Sequence, residues 1–269
     1  MAEHTIRAFV PAADGFSVES AGGNVCLVQA LDRAPAIPPE NAFRHTVCQS
    51  WADEATEGPV VFVRCFTPQA HPIECCGHGL LAVAHIWLRR LQRDLLVLSM
   101  HQSTVHCWRS DGLTWLRFRR QSAVAVTVPA WAAAVFPQQP QPVAAATCGG
   151  ERGYLVLQWP DDCDLRDLSP PGRGLTQWSQ RAVICTAAQP ASGNAAITLR
   201  YFAPQYGVPE DAATGSAVRV LADYWSHRFN TLSAVQCSPE GGLLMTRLAP
   251  DHVEVGGYCI PTGEVANDA

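Results

Sequence analysis

A motif that occurs twice constrains this chain more than any other feature. The copies lie at residues 64–79 and 200–217, and each leads from a β-patterned run through a Pro-Gln turn to a helix that opens at small residues. They stay in register beyond that point, because Trp87 matches Trp225. A repeat of this kind predicts two similar halves whose helix N-termini are aimed at one shared cleft.

The length and the element pattern predict an α+β protein of two halves. At 269 residues the chain is long enough for one large domain or for two of about 130 residues, and the repeat favours two. Many short strands accompany one long helix per half, so each half is expected to be a curved sheet wrapped round its helix. We place the halves at residues 1–120 and 121–269, with the last strand either in the second half or returned to the first.

Composition excludes several classes of function. Charged residues make up only 16% of the chain and the net charge is −5, which argues against a nucleic-acid partner. The apolar stretches are short and broken, and the first residues carry no basic and apolar leader, so we expect a soluble, cytoplasmic protein with no membrane partner. The eleven cysteines form no Cys-x-x-Cys pair and are odd in number, which predicts neither a disulfide scaffold nor a metal site.

Local patterns place the elements around the repeat. The first motif predicts a helix over residues 77–91, and the second predicts a helix over 215–229. Another helix is expected from residue 39 or 40 to about residue 51. The Ser-Asp-Gly sequence at 110–112 predicts a hairpin turn.

The two helix N-termini are candidates for a carboxylate-binding site. The first backbone N–H groups of a helix have no partner within the helix and carry a partial positive charge, so an anion can bind there if no side chain blocks it. Gly77, Gly79 and Gly215 leave that approach open, and Asn24, which follows two glycines, can add an amide contact. The alternative is that these glycines serve only tight turns and close packing.

The same residues carry a resemblance to a known family. The segments that carry it are Phe66-Thr67-Pro68, Glu74-Cys75-Cys76-Gly77-His78-Gly79, Phe202-Ala203-Pro204, Glu210-Asp211-Ala212-Ala213-Thr214-Gly215-Ser216-Ala217, Gly23-Asn24 and Gln236-Cys237-Ser238. Through these segments the chain resembles, over nearly its whole length, the PhzF-like relatives of the phenazine-biosynthesis isomerase.

This resemblance implies a fold, a reaction class and a set of site residues. The implied fold is that of diaminopimelate epimerase, with two pseudo-symmetric halves, each a barrel-like sheet around a central helix. The implied reaction is proton transfer at a carbon acid without a cofactor, on a small carboxylate substrate, in a homodimer. Gly77, His78 and Asp211 would line the active site, and the Thr214 to Ser216 segment would bind the substrate.

One position departs from the family pattern. A Glu in a Ser-Glu-Thr motif is the usual acid/base of the family, and the corresponding segment here reads Cys48-Gln49-Ser50. Because an amide cannot shuttle a proton, Gln49 would leave the usual chemistry without its base. Glu54 or Glu57 can replace it only through a shift of a loop.

Cys76 is the other candidate base. A thiol at a helix N-terminus beside His78 has a lowered pKa and can abstract a proton as the thiolate. The matching position of the second motif is Thr214, so racemisation by two bases is not expected. Each of these residues also has a purely structural interpretation. Cys76 would be a tolerated small residue, His78 a capping or core residue, and Asp211 a cap of the second helix.

Three hypotheses follow from these residues. The first is a PhzF-like isomerase or epimerase that moves a proton on a small carboxylate or amino-acid-like substrate without a cofactor. The second is a catalytically silent binder of such a molecule, suggested by Gln49. The third is a one-base dehydratase of a hydroxylated amino acid, suggested by the difference between Cys76 and Thr214.

Overall fold

The computed structural model describes residues 1–11, 22–35, 43–52, 60–100, 103–189 and 196–264. Most of the ordered elements in these ranges are strands. The strands are β1 Ala2–Val10, β2 Asn24–Leu31, β3 Thr46–Ala52, β4 Val60–Phe66, β5 Pro72–Ile73, β6 Leu95–Met100, β7 Ser103–Ser110, β8 Leu113–Arg119, β9 Ala123–Val126, β10 Ala144–Cys148, β11 Tyr154–Gln158, β12 Ala182–Ala188, β13 Ile197–Phe202, β14 Thr231–Gln236, β15 Gly242–Leu248 and β16 His252–Glu264.

Three α-helices accompany these strands. They are α1 Gly77–Arg90, α2 Ala132–Val135 and α3 Gly215–Tyr224, and the described residues also contain three short 3₁₀ helices, Leu165–Asp167, Gly172–Gln177 and Pro204–Tyr206. None of the helices in the described part of the chain is long and apolar enough to span a bilayer. The strand-rich α+β prediction is confirmed.

The chain divides into two compact units, Met1–Phe118 with Glu254–Ala269, and Arg119–Val253. In the first unit the strand order is β1-β2-β3-β4-β6-β7-β8-β16, and β16 also pairs with β1, so these eight strands form a closed ring. Helix α1 lies against β1, β2, β3, β4, β6 and β7. The helix is therefore inside the ring, which explains why Leu80, Leu81 and Ala84 are fully or almost fully buried.

The second unit has its own sheet and core. Its strand order is β15-β14-β13-β12-β11-β10-β9, and α3 lies against β9, β14 and β15. The core is aromatic at its centre, where Phe136 meets Trp159 edge to face at a ring separation of 5.5 Å and also contacts Phe202. A buried aromatic cluster of this kind fixes the position of the strand that leads into the second motif.

Two turns show how the sequence fixes local geometry. Asp111 and Gly112 both have positive φ, at 54° and 76°, and they join β7 to β8 as the two-residue hairpin that the sequence predicts. Gly23 has φ of 80°, and a Cβ there would lie 2.5 Å from the carbonyl oxygen of Ala8. Only glycine fits this position, so Gly23 sets where β2 begins and where Asn24 lies.

The predicted helix ending near residue 51 is wrong over its described part. Residues 46–52 form strand β3, which pairs in parallel with β2 and antiparallel with β4, while residues 39–42 lie outside the described residues. Strand β3 is buried on both faces from Val47 to Ser50, so its sequence lacks the alternation that marks a strand with one face in water. The helix of the second motif is also shorter than predicted and ends at Tyr224.

Candidate active site

The N-terminus of α1 carries the first motif. Cys76 is the N-cap residue, and the first hydrogen bond of the helix runs from the Leu80 amide to the Cys76 carbonyl oxygen at 2.9 Å. The first turn contains no acidic residue, and Gly77, His78 and Gly79 are buried. The positive end of the helix dipole is therefore not neutralised by a carboxylate of its own first turn.

His78 lies between Asn24 and Cys76. The Asn24 Nδ2 atom is 3.3 Å from His78 Nδ1, and both ring nitrogens are 3.9 Å from the Cys76 sulfur. Because the amide nitrogen of Asn24 donates, this contact makes Nδ1 the acceptor and leaves the proton of a neutral ring on Nε2. The structure therefore brings together three of the residues that the sequence analysis selected.

The sulfur of Cys76 belongs to a buried group that the sequence analysis did not identify. The Sγ atoms of Cys48, Cys65 and Cys76 all lie within 4.8 Å of one another, and we call these residues the thiol cluster. Gly79 packs against the cluster, because a Cβ there would lie 2.5 Å from the Cys48 sulfur and 2.8 Å from the Cys76 sulfur. The absence of a side chain at Gly79 thus makes room for sulfur rather than only for an incoming ligand.

The thiols of the cluster do not share one acidity. The hydrogen bonds from Cys48 and Cys65, with the nearby charge of His78, hold the pKa of the Cys76 thiol well below its usual range. Burial raises the pKa of the Cys48 thiol well above its usual range. Cys76 is therefore the cluster member that most readily exists as a thiolate.

Gln49 lies on the face of β3 opposite to that of Cys48 and Ser50. Its Nε2 atom donates to Gln29 Oε1 at 3.3 Å, and Gln49 Oε1 is buried without a hydrogen-bond partner among the described residues. Ser50 accepts a hydrogen bond from the indole of Trp87 on α1, so Cys48 and Ser50 face the helix and Gln49 points away from it. No hydrogen bond of the described residues joins Gln49 to His78, and Glu54 and Glu57 lie outside those residues.

The second motif forms a hydrogen-bonded group at the start of α3. Thr214 is the N-cap residue, and its hydroxyl donates to Asp211 Oδ2 at 2.6 Å. Gln236, on β14, accepts from the Thr214 amide at 2.8 Å and donates both to the Thr214 hydroxyl oxygen and to the Asp211 carbonyl oxygen. Gly215 is buried and Ser216 is half-buried beside this group. The Thr214 hydroxyl is therefore oriented by two partners.

The carboxylate of Asp211 makes hydrogen bonds with Ala212 and Thr214, and these two bonds do not cap α3. Its Oδ1 atom accepts from the amide of Ala212, which precedes the helix, and its Oδ2 atom accepts from the Thr214 hydroxyl. The neighbouring Glu210 forms a bidentate ion pair with the buried Arg200 at 2.7 Å for both contacts. This ion pair ties the turn of the second motif to strand β13.

Comparison with known proteins identifies the family. The model of the PhzC-PhzF family, described as phenazine biosynthesis-like protein, matches residues 51–255. This chain belongs to the PhzC-PhzF family. An uncharacterized isomerase of Pseudomonas aeruginosa is 32% identical over 255 residues, which cover 92% of this chain and 93% of that protein.

Solved structures confirm the predicted fold. A PhzF-family protein of Enterococcus faecalis has a TM-score of 0.81 at 22% identity, with 97% of this chain and 96% of that chain covered. A hydroxyproline epimerase of Agrobacterium vitis, solved with bound trans-4-hydroxy-L-proline, has a TM-score of 0.55 at 9% identity, with 98% and 90% covered. This member of the PhzC-PhzF family thus shares its fold with that epimerase.

Sequence reasoning missed three residues of these two groups. Gln236 stood in a segment that carried the family resemblance, but a lone Gln at the end of a strand gives no sign of its partner. Cys48 and Cys65 contact Cys76 only because β3 and β4 pair in one register, with Cys48 opposite Cys65. The sequence of either strand alone does not predict that register.

Proposed function

We propose that this protein is an isomerase that works without a cofactor and moves a proton on a small carboxylate or amino-acid-like substrate. The observation that carries this proposal is the pair formed by Cys76 and His78, with the ring 3.9 Å from the sulfur and the Cys76 pKa lowered. Membership of the PhzC-PhzF family and the relatives named isomerases support the same reaction class.

The proposed step is an exchange between a carbon acid and this pair. The base removes the proton next to the carboxyl group, so that a C–H bond breaks and the electron pair is delocalised into the carboxylate. The backbone N–H groups at the start of α1, which have no acceptor within the helix, can stabilise the charge that develops there. Asn24 orients the imidazole of His78 beside the Cys76 sulfur.

The second motif supports a mechanism with a single base. Thr214 has no acid/base pKa in the working range, and its hydroxyl donates to Asp211. We assign Asp211, Thr214 and Ser216 to substrate binding rather than to a second proton transfer. The same base then removes and returns the proton, which favours isomerisation over two-sided racemisation.

Exchange of substrate hydrogen with solvent tests this proposal. Candidate amino acids and hydroxy acids are incubated in D₂O with the wild type, Cys76→Ser and His78→Gln, and deuterium at carbon is measured by NMR. We expect at least about a hundredfold loss of exchange in both variants, since a positioned base contributes about 10²–10⁴. Cys75→Ser is the matched control, because Cys75 is exposed and adjacent to Cys76.

Exchange that is unchanged in both site variants would refute the assignment of the base. Loss in His78→Gln with full retention in Cys76→Ser would assign proton transfer to the imidazole alone. Both variants must first show the far-UV circular dichroism and urea midpoint of the wild type, so that loss of exchange cannot reflect unfolding.

A one-base elimination is the second candidate, and the difference between Cys76 and Thr214 favours it. In this reaction the same base removes the proton and the substrate then loses a neighbouring hydroxyl group as water. Loss of water from a hydroxylated amino acid leaves an enamine, which tautomerises to an imine. Hydrolysis of the C=N bond then gives a keto acid and frees the nitrogen as an amine or ammonia, and a carbonyl reagent detects the keto acid. Deuterium exchange with no keto acid would exclude elimination and leave isomerisation.

A further inference from the structure

The thiol cluster draws its three sulfur atoms from three different elements. Cys48 lies on β3, Cys65 is its direct partner on the antiparallel strand β4, and Cys76 is the N-cap of α1. The Cys48 and Cys65 sulfurs are 3.0 Å apart, and each of the three residues is at most 3% exposed. Strand pairing and the helix start thus hold three soft donor atoms around one point in the core of the first unit.

We propose that the thiol cluster is a binding site for one soft, thiophilic cation, Zn²⁺ or Cu⁺, with Cys48, Cys65 and Cys76 as ligands. Thiolate sulfur selects these two ions over hard cations such as Mg²⁺ or Ca²⁺. Two sulfurs bound to one metal at about 2.3 Å are less than about 4.6 Å apart. The sulfur–sulfur distances in the thiol cluster begin at 3.0 Å and stay within 4.8 Å, so they lie close to this limit. Only small side-chain movements are therefore needed to bind a metal.

Charge also favours a cation at this position. Three ligating thiols give up their protons, and three buried negative charges are very costly without a positive partner. The start of α1 supplies partial positive charge, and its first turn contains no acidic residue to compete for it. A bound Zn²⁺ or Cu⁺ offsets a further part of that negative charge.

The number of ligands separates the two ions. Within the described residues, the donor atoms that lie within 4.8 Å of one another are those of Cys48, Cys65 and Cys76. Structural Zn²⁺ sites are almost always four-coordinate, so Zn²⁺ would recruit a fourth ligand from outside the cluster. The candidates that the structure shows are Cys26, whose sulfur lies 3.5 Å from the Cys48 sulfur, and His78, whose ring nitrogens lie 3.9 Å from the Cys76 sulfur. Cu⁺ would be satisfied by the three sulfurs.

Occupation of the cluster would compete with the proposed isomerase chemistry at a single atom. A cation bound to the Cys76 sulfur removes that sulfur from its pairing with His78. The binding itself does not depend on the proposed function, but the inhibition does. Metal stoichiometry and proton exchange are therefore measured separately, so that failure of one proposal is distinguishable from failure of the other.

The experiment titrates reduced, metal-free full-length protein. Zn²⁺ is added in competition with a chromophoric chelator, and Cu⁺ is added in competition with a Cu⁺-specific chelator under anaerobic conditions. We expect about one equivalent per chain for the preferred ion. Stoichiometric binding should disappear in Cys48→Ala and Cys65→Ala.

Two controls distinguish the cluster from other cysteines. Cys107→Ala removes another buried strand cysteine of the same unit, and Cys75→Ala removes the exposed neighbour of Cys76. Both control variants should bind like the wild type. If the cluster variants do not fold, the wild type is loaded with Co²⁺ or Cd²⁺, and the intensity of the sulfur-to-metal charge-transfer band reports the number of thiolates bound.

Two results would overturn the proposal. The first is wild-type binding no stronger than that of the cluster variants, or a charge-transfer intensity below that of three thiolates, which would mean that the thiols only pack as small apolar groups. The second is a Cys48–Cys65 disulfide found by peptide mass spectrometry in freshly reduced protein, because oxidised sulfurs cannot ligate.

Discussion

Replacement of Gly79 by alanine tests the packing at the start of α1. The added methyl group would lie 2.5 Å from the Cys48 sulfur, 2.8 Å from the Cys76 sulfur and 3.4 Å from the Cys65 sulfur. The first two separations are shorter than real Cβ contacts. The sulfurs are at the ends of short, buried side chains, so relief requires a movement of β3 or of the helix start.

Two opposing contributions set the magnitude of this effect. Overpacking of a well-packed core costs about 1–3 kcal/mol, and two simultaneous overlaps put Gly79→Ala in the upper part of that range. Alanine is preferred over glycine within a helix by roughly 1 kcal/mol. The net expectation for Gly79→Ala is a loss of about 1–2 kcal/mol in the free energy of unfolding.

Urea unfolding measures the loss, and a double-mutant cycle assigns it. Cys48→Ala removes the closest sulfur, so Gly79→Ala should cost about 1 kcal/mol less in that background than in the wild type. Gly174→Ala is the control, because no atom lies within 4 Å of its added methyl group, and it should be neutral or slightly stabilising. A Gly79→Ala protein as stable as Gly174→Ala, or zero coupling to Cys48, would refute the packing described for the thiol cluster.

Three further predictions concern buried polar groups. Burial, as the largest cause, lowers the pKa of His85 from 6.5 to about 4, so the unfolded chain binds this proton below pH 6.5 whereas the folded protein binds it only near pH 4. As the pH falls from 6.5 to 4, the free energy of unfolding should therefore fall by up to about 3 kcal/mol and then level off. His85→Gln should remove this part of the pH dependence, measured by urea unfolding. Asp223 accepts from Arg120 at 2.6 Å, and Asp223→Ala should cost about 1–3 kcal/mol, with Asp223→Asn recovering part of the loss in the same assay. Glu210→Ala leaves the buried Arg200 without its carboxylate and should cost about 3–5 kcal/mol by thermal or urea unfolding, and a cost below about 1 kcal/mol would show that the pair is solvated.

The sequence predicts the starts of the two motif helices better than it predicts their surroundings. Helices α1 and α3 begin at Gly77 and Gly215, as the small-residue clusters indicate. Both starts depend on local chemistry that lies within a few residues of the chain. The second helix ends at Tyr224 instead of continuing to 229, because the chain leaves α-helical hydrogen bonding for single turns after Trp225.

The contacts around the motifs depend on pairing that no local pattern encodes. A start signal at residue 39 or 40 predicts a helix that reaches about residue 51, but β3 is a strand buried on both faces and lacks the alternation that would mark it. This error hid the direction of Gln49. The contact of Cys48 with Cys65 needs the β3–β4 register, and the contact of both with Cys76 needs α1 to be seated inside the ring. Spacing rules for cysteine detect ligands that are neighbours in sequence, so they pass over donors from three elements.

The closure of the first unit by β16 has a consequence for biosynthesis. Residues 258–264 pair with β1, whereas every other strand of that ring is synthesised by residue 119. Once β1 to β8 have been synthesised, the nascent chain therefore contains an open sheet in which β1 and β8 are unpaired edge strands. This sheet stays open while the whole of Arg119–Val253 is being synthesised. The second unit is continuous in sequence and can complete its fold first. A fragment that stops at Phe118 should consequently self-associate through its open edges, and supplying a peptide of residues 252–264 should suppress that association.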